Sequence, residues 1–527
     1  SEGTLSCLSG EYDRLGQVTG ADLVGRPYRG PFYDLPAQAD VETRIVAWDL
    51  VGEEEGTGVV HIAPGCGAED FDLSKELGLS VLVPIDDNGT FVDGFGWLTG
   101  QHVQSVAQPI FDDLEKKGVL YRLEDYAHRY PVCWRCSEEL VFRLVDEWFI
   151  RSDEVRPAMV REAAKVRWIP EHAGKRMEDW LNNMGDWCIS RKRFWGLPLP
   201  FYPCQQCGEM TVVGSRSELE KLACSGLDQL QELHRPWIDA VKIACPKCSA
   251  TVTRLEDVGD CWLDAGIIPF STLGYLSDDR SYWEKWFPAE FITEMREQIR
   301  LWFYSMLFMG VTLEERTPYL NVLTYEKMND EHGKPMHKSH GNAIWFDDAA
   351  ERMGADVMRW IYAQQSLYNN LNFGYGPAEE VKREMATLWN VLSFFTLYAN
   401  LDQPALSATP ADDLPRTQLD KWILARLQQV IEEVTETLDR FQPAPATRSV
   451  EAFLEDLSNW YVRRNRRRFW KSESDADKQA AYQTLWDVLS TLAKLVAPIL
   501  PFSAETIYQG LVRPVDPDAP ESVHLCD

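Results

Sequence analysis

The run Gly333–Asn342, Gly-Lys-Pro-Met-His-Lys-Ser-His-Gly-Asn, packs two lysines, two histidines, a serine, two glycines and a proline into ten residues. With Lys338-Ser339 at its centre, it reads either as a surface turn or as a loop that holds a phosphate. Metal chemistry is written more sharply. Cys204-x-x-Cys207 and Cys245-x-x-Cys248 lie about forty residues apart in "YPCQQCGEM" and "IACPKCSAT". A two-residue spacer lets both sulfurs of a pair face one ion, and four thiolates satisfy tetrahedral Zn²⁺ with no position left for water, so the expected site is structural. Cys133-x-x-Cys136 is a third pair, either half of a second metal site or two ordinary cysteines. The remaining cysteines, Cys188 and Cys261 among them, read as core.

Three further groups could bind polar ligands. In "HIAPGCGAEDF", Asp70 suits a cationic amine and His61 a hydroxyl or a water, although a glycine-rich turn with solvated acids reads equally well. Glu294 and Gln298 are four apart on an expected helix and so share a face, which suits a ligand or solvent alike. "YVRRNRRRFWK" (461–471) holds Arg463, Arg464, Arg466, Arg467, Arg468 and Lys471 with no acid. It is either a solvated helix face or an RNA-contacting or core-anchored basic helix, and the aromatics among the arginines favour the latter.

The elements that must position these groups span 527 residues, too long for one core, so three or four domains are expected. Apolar content of 45% and charged content of 26% are those of globular protein. A net charge of −29 argues against nucleic acid as an average, but binding is local. Twelve cysteines, several in x-x pairs, imply metal ligation in a reducing, cytoplasmic setting rather than a disulfide framework. No run of about 18 apolar residues appears, so no membrane span is expected. "SEGTLSCLSG" has neither the basic start nor the apolar core of a signal peptide, and without an initiator methionine the chain reads as a processed product or a fragment.

Residues 1–125 read as a β-rich module, from the strand-like runs "TRIVAWDLVG" and "GTGVVHIAPG" and a hairpin signal at Asp86-Asp87-Asn88-Gly89. "AEFITEMREQIRLWFYSMLFM" reads as a strand feeding a helix, one step of an α/β sheet. Beyond the proline-bearing linker 401–418, apolar stripes at helical spacing recur. They are Leu419, Ile423, Leu427, Val430, Ile431, Val434, Leu438 and Phe441, then Val450, Phe453, Leu454, Leu457, Trp460 and Tyr461, then Tyr482, Leu485, Leu489, Leu492 and Leu495. They imply a helical bundle.

Taken in order, these segments resemble class I aminoacyl-tRNA synthetases, and within them the isoleucyl branch. "GTGVVHIAPGCGAEDF" resembles the closing half of the family's editing domain, "YPVCWRC" the zinc pair that follows, and "DWCISRKRFWG" a motif of the catalytic domain. "DCWLDAG" and "SNWYVRRNRRRFW" look isoleucyl rather than valyl or leucyl. Pro335–Ser339 resembles the family's Lys-Met-Ser-Lys-Ser signature, which closes over ATP. The resemblance gives Met336, His337 and Lys338 contacts to ATP, and gives Lys338 with Ser339 the catalytic role of steadying the triphosphate. Pro335 replaces the first lysine and His337 the first serine. Glu294 and Gln298 match residues that hold the aminoacyl-adenylate, with Met295 where the family has glycine and Glu297 where it has aspartate. His61 and Asp70 match editing residues, and the five arginines match tRNA contacts.

The resemblance implies a multidomain α/β plus all-α fold. Its parts are the C-terminal portion of an editing domain (1–125), the second half of a Rossmann-type catalytic domain with a zinc knuckle (126–330), a signature-loop and connecting region (331–400), and an anticodon-binding bundle (401–527). It implies ATP with Mg²⁺, isoleucine and tRNA(Ile) as substrates, structural Zn²⁺, and editing of mischarged valine. No two of the nine histidines have the spacing of the His-x-Gly-His signature, apart from His337 and His340 in the other signature. The expectation is therefore of activity only with a complementary N-terminal part; the alternative is an inactive synthetase-derived tRNA-binding or regulatory module.

Overall fold

The computed structural model describes the chain except residues 1–7, 9–10, 53–57, 126, 134–135, 410–413, 472–474 and 527. The chain divides into two compact units, Ser1–Glu147 and Trp148–Asp527.

The first unit corrects the β-rich expectation. Its described residues form two ten-residue helices, α1 (Ala68–Leu77) and α2 (Ala107–Lys116), a four-residue helical turn Gly20–Leu23 and three 3₁₀ turns, and as β structure only isolated bridges such as Pro27 to Arg44 and Ile85 to Phe91. A strand-like run becomes a strand only when a neighbour bonds to it over several residues. Here each ladder stops after one bridge, and Val60 stays half exposed. The turn at Asp86–Gly89 does form: Asp86 N–H donates to the Thr90 carbonyl at 2.9 Å, and Gly89 takes a positive φ of 74°. A small core of Leu35, Phe95, Leu98 and Val106 holds this part together.

In the second unit, helix α3 (Arg156–Ala163) leads to strand β1 (Arg167–Ile169) and helix α4 (His172–Asn183). An insertion follows, with strands β2 (Phe201–Pro203), β3 (Met210–Val212), β4 (Ala223–Ser225), β5 (Lys242–Ala244) and β6 (Thr251–Thr253). Strand β7 (Ala289–Met295) then passes through a 3₁₀ turn, Arg296–Arg300, into helix α5 (Trp302–Glu314) and on to strand β8 (Tyr319–Tyr325). Strands β7, β8 and β1 lie side by side in that order, all parallel. Helix α5, Trp-Phe-Tyr-Ser-Met-Leu-Phe-Met-Gly-Val-Thr-Leu-Glu, is apolar on nearly every face, the pattern of a helix enclosed on all sides. Eight of its residues are buried accordingly. Gly266 allows its close approach to "DCWLDAG": a Cβ there would stand 2.8 Å from the Ser305 carbonyl carbon.

Strand β9 (Met328–Asp330) precedes the Gly333–Asn342 loop, helices α6 (Phe346–Met353) and α7 (Ala355–Gln364), and strand β10 (Leu371–Phe373), which pairs parallel with β9. The 28-residue helix α8 (Tyr375–Asp402) then enters the bundle of α9 (Gln418–Asp439), α10 (Pro443–Glu455), a π-helical turn Asp456–Val462, α11 (Arg463–Trp470), α12 (Asp475–Val496) and α13 (Pro501–Leu511). The expected stripes form its core: Ile423, Leu427, Val430, Val434, Val450, Phe453, Leu457, Tyr461, Tyr482, Leu485, Leu489 and Leu492 are all buried. Trp460 departs from its stripe and is 52% exposed. The wider π turn changes the helical phase there, so Tyr461 and Val462 face inward instead. Within the described residues, no helix is long and apolar enough to cross a membrane.

Candidate functional site

The signature loop is a hairpin drawn shut by two side chains. Asp330 ends β9, and its Oδ1 accepts the N–H groups of His332 at 3.0 Å and Lys334 at 2.9 Å. Asn342 bonds across the loop, its Nδ2 donating to Asp330 Oδ2 at 2.9 Å and to the Pro335 carbonyl at 3.0 Å, and its Oδ1 accepting the His337 N–H at 2.9 Å. The Asn342 amide and the Lys334 N–H together hold the Asp330 carboxyl below its usual range. Gly333 and Gly341 take φ of 80° and 70°, the left-handed turns that close the loop at either end. Met336 packs against the bundle core, while His337, Lys338 and His340 are exposed. Lys338 Nζ lies 4.3 Å above the Trp345 ring, a cation–π contact. The His337 and His340 rings meet edge to face at 5.1 Å. The side chain of Ser339 lies outside the described part of the structure. Asn342 and Trp345 were not singled out from the sequence; the only signal for Asn342 was its place at the end of the quoted loop.

Glu294 and Gln298 do not share a helix, which corrects the expectation. Glu294 is the penultimate residue of β7, and its Oε2 accepts the Met295 N–H at 2.7 Å and the Tyr325 hydroxyl at 3.2 Å. Gln298 sits in the 3₁₀ turn, its Oε1 accepting the Trp302 N–H at 3.1 Å at the start of α5. Both stand where the chain leaves the C-terminal edge of a parallel strand, the edge at which open α/β sheets bind ligands. The two neighbouring motifs meet at Asp260, which is 3% exposed. Its Oδ2 accepts from Trp187 Nε1 at 3.2 Å and Arg191 Nη2 at 2.8 Å, and its Oδ1 caps the Cys261–Gly266 helix at Trp262 N–H, 3.2 Å away. "DWCISRKRFWG" and "DCWLDAG" are thus joined through one buried carboxylate. Cys261 is exposed and Cys188 part-exposed, so neither is the core residue expected.

The four insertion cysteines are gathered: the sulfurs of Cys204, Cys207, Cys245 and Cys248 all lie within 4.8 Å of one another. Cys204 to Cys248 is 3.5 Å and Cys207 to Cys245 is 3.6 Å. Ligands about 2.3 Å from a tetrahedral centre stand roughly 3.8 Å apart, so the set fits one ion. One backbone turn builds both halves. Cys204 N–H donates to the Glu209 carbonyl and Gly208 N–H to the Cys204 carbonyl, at 2.8 and 2.9 Å. Cys245 with Ala250, and Ser249 with Cys245, repeat this at 2.8 Å each. The Cys207 N–H lowers the Cys204 thiol to about 7 against the opposing effect of burial. Cys248 is raised to about 12: the Ala250 N–H favours its thiolate, but burial and the three neighbouring thiols outweigh it. Without a cation, four thiolates this close repel one another.

In the first unit the third pair uses the same turn. Cys133 N–H donates to the Glu138 carbonyl at 2.7 Å, and Ser137 N–H to the Cys133 carbonyl at 2.8 Å. Ser137 takes φ 63°, as Gly208 and Ser249 take 74° and 59°. Trp134 and Arg135 lie outside the described residues. Asp70 Oδ2 accepts the Ala63 N–H at 3.2 Å and so ties the turn to the first turn of α1. His61 is exposed, and no hydrogen bond or ion pair joins it to Asp70 among the described residues.

The basic helix α11 has two faces. Arg463, Arg464, Arg466 and Arg467 are exposed, with Arg464 stacked 4.6 Å over Trp460. Arg468 turns inward, which corrects its place among the expected RNA contacts. Its Nη1 donates to both oxygens of Asp420 at 2.8 and 3.0 Å, and its Nε to Asp477 Oδ1 at 2.9 Å. Asp420 is fully buried, caps α9 through Thr417, and also accepts the Tyr461 hydroxyl at 2.7 Å.

A parallel sheet with a crossover helix, a lysine-bearing loop beyond β9 and a helical bundle make up the second unit. Residues 36–374 match the family model "tRNA synthetases class I (I, L, M and V)", and the chain belongs to that family. Residues 420–527 match the "Anticodon-binding domain of tRNA ligase". Among curated relatives, the isoleucine–tRNA ligase of Methanothermobacter thermautotrophicus is 39% identical over 524 residues, 99% of this chain and 50% of that protein. That of Thermus thermophilus is 40% identical over 513 residues, 96% of this chain and 48% of that protein. The chain thus spans about half the length of the curated relatives it matches. The solved Mycobacterium tuberculosis methionyl-tRNA synthetase in complex with methionyl-adenylate shares the fold, with TM-score 0.52 and 17% identity over 75% of this chain and 72% of that one.

Proposed function

We propose that this chain carries part of an isoleucine–tRNA ligase, which activates isoleucine with ATP and Mg²⁺ and transfers it to tRNA(Ile). The observation that carries this reading is the identity of about 39% to isoleucine–tRNA ligases along 99% of the chain, signature loop and bundle included. In this reading Lys338 leaves the Trp345 face and places its ammonium against the triphosphate as charge develops there. Met336 and His337 line the nucleotide, and Ser339 assists. Glu294 and Gln298 hold the aminoacyl-adenylate at the strand edge. Pro335 removes one cation that the family signature carries, which leaves more of the task to Lys338.

Residues 1–125 are assigned to editing of mischarged valine, with Asp70 taking the amino group through Oδ1, and residues 401–527 to anticodon binding through Arg463, Arg464, Arg466 and Arg467. The cluster of Cys204, Cys207, Cys245 and Cys248 takes Zn²⁺, which supplies a cross-link and no chemistry, and its thiolates suit the reducing cytoplasm. Cys133 and Cys136 supply half of a second site. A His-x-Gly-His segment, whose spacing occurs here only at His337 and His340 within the other signature, completes the activation site from a complementary N-terminal part.

The test is isoleucine-dependent ATP–pyrophosphate exchange by the chain supplemented with such an N-terminal part. Exchange should appear with isoleucine, and Lys338→Ala should lower it by two to three orders of magnitude, roughly the loss for one transition-state donor. Exchange that Lys338→Ala leaves unchanged removes Lys338 from the mechanism. Exchange driven by another amino acid overturns the substrate assignment.

A further inference from the structure

We infer that a polar pocket at the C-terminal edge of the parallel sheet binds a phosphate-bearing nucleotide of an RNA strand. The inference rests on the reading of the chain as a tRNA-charging protein but concerns residues to which that reading gives no role. All three parallel strands deliver side chains to the pocket. Strand β1 runs into α4, whose first turns carry Lys175 and Arg176; β7 leads to Arg296 and β8 to Glu326. The segment entering β10 contributes Tyr368 and two asparagines. The open cleft holds about 650 Å³, room for a nucleotide.

Its charge runs against the rest of the molecule. The chain carries −29, yet here Lys175, Arg176 and Arg296 face Glu326 and, 3.8 Å from Arg296 Nε, Glu297, a local excess of one positive charge. Glu326 is spent on the arginines, with Arg296 Nη1 at 3.0 Å and Arg176 Nη1 at 3.9 Å. Lys175 is exposed and has no carboxylate partner among the described residues. An ammonium beside a fixed guanidinium is the equipment for a phosphodiester.

The opposite wall suits a base. The Tyr368 ring is backed by His172 at 5.6 Å and is 63% exposed, so its outer face is open for stacking. The side-chain amides of Asn369 and Asn370 are exposed and bond nothing among the described residues, and each offers a donor and an acceptor to a base edge. A cation, an open aromatic face and free amides are what proteins present to unstacked RNA. The pocket has no apolar floor of the kind that anchors a protein partner.

The experiment titrates the full chain with total tRNA and with a 12-nucleotide single-stranded RNA, by fluorescence anisotropy from 50 to 200 mM salt. Lys175→Ala should weaken binding about fivefold or more and make the slope of log K against log salt shallower by about 0.7 to 0.9, one phosphate contact. Tyr368→Ala should weaken binding at least about fivefold with an unchanged slope, and Lys175→Arg should bind as the unaltered chain does. If both alanine variants bind RNA normally while Arg463→Ala/Arg467→Ala does not, the pocket assignment is overturned and the tRNA reading stands. If the unaltered chain binds no RNA, the tRNA reading falls with it. A parallel titration with labelled ATP completes the set: Lys175→Ala weakening ATP alone would overturn the RNA assignment.

Discussion

Neighbouring arginines on α11 should separate stability from RNA binding when each is replaced. Arg468→Ala removes three hydrogen bonds to carboxylate oxygens and leaves Asp420, at 0% exposure, charged and short of its main counter-ion. Tyr461 and Thr417 still donate to Asp420, but neither carries charge. Breaking a buried pair from one side costs about 3–5 kcal/mol. The bond to Asp477 adds little, because that carboxylate is 26% exposed. For a bundle of this size the loss corresponds to a melting temperature lower by roughly 6 to 20 °C. Arg463→Ala/Arg467→Ala strips exposed guanidiniums and should shift melting by no more than a degree or two, on the order of 0.5 kcal/mol. Binding should divide the other way. At a temperature where both variants are folded, the Arg463/Arg467 variant should lose tRNA affinity and the Arg468 variant keep it. The assay is the helical circular-dichroism transition paired with tRNA titration. Arg468→Ala melting with the unaltered chain would refute the buried-pair argument. Adding Asp420→Asn to Arg468→Ala should recover part of the loss, because no uncompensated charge then remains.

Other outcomes follow from the same geometry. Chelation, or Cys207→Ser, should unfold the 201–253 insertion, seen as protease cleavage within it, while the bundle keeps its melting transition; a resistant insertion would count against a metal cross-link. Gly374→Ala should destabilise the β9–β10 region by about 1–3 kcal/mol, because the new Cβ would stand 2.6 Å from Glu331 Cβ; unchanged thermal stability would contradict this. At Asp239, burial works to raise the carboxyl, but hydrogen bonds from Arg254 and Arg235 outweigh it and hold it below its ordinary value. A depressed carboxyl contributes stability that is complete above its unfolded pKa, about 4, and lost as pH falls through the folded value. The insertion should therefore lose stability only in acid, and Asp239→Asn should flatten that dependence between about pH 2 and pH 5.

The parts legible in the sequence were those fixed by local spacing. The x-x cysteine pairs specified one turn, and the stripes from Leu419 to Leu495 specified the bundle core, because each needs only neighbours along the chain. Long-range partners were not legible. Nothing around Arg468 distinguishes it from Arg467 until Asp420, 48 residues away, is brought beside it. Glu294 and Gln298 read as helical because their spacing is helical, but parallel pairing of β7 with β8 claims Glu294 as strand. The strand-like runs of the first unit failed for the reverse reason, since β propensity acts only through a bonded neighbour. The six motifs gave the family through their order, which no single spacing carries.

Strand β9 connects two parts of the second unit. Asp330 both ends it and clamps the signature loop, and the next residue, Glu331, accepts the Gly376 N–H at 2.8 Å in the first turn of α8. At its other end α8 is tied down where Asp402 accepts the Tyr482 hydroxyl and pairs with Lys478 at 2.6 Å. A helix of 28 residues is about 42 Å long. It acts as a lever: a tilt of about 5° at the loop end moves the far end by about 4 Å. Any movement of the signature loop would thereby be geared to the posture of the helical bundle, with Asp330 and Glu331 as the coupling pin.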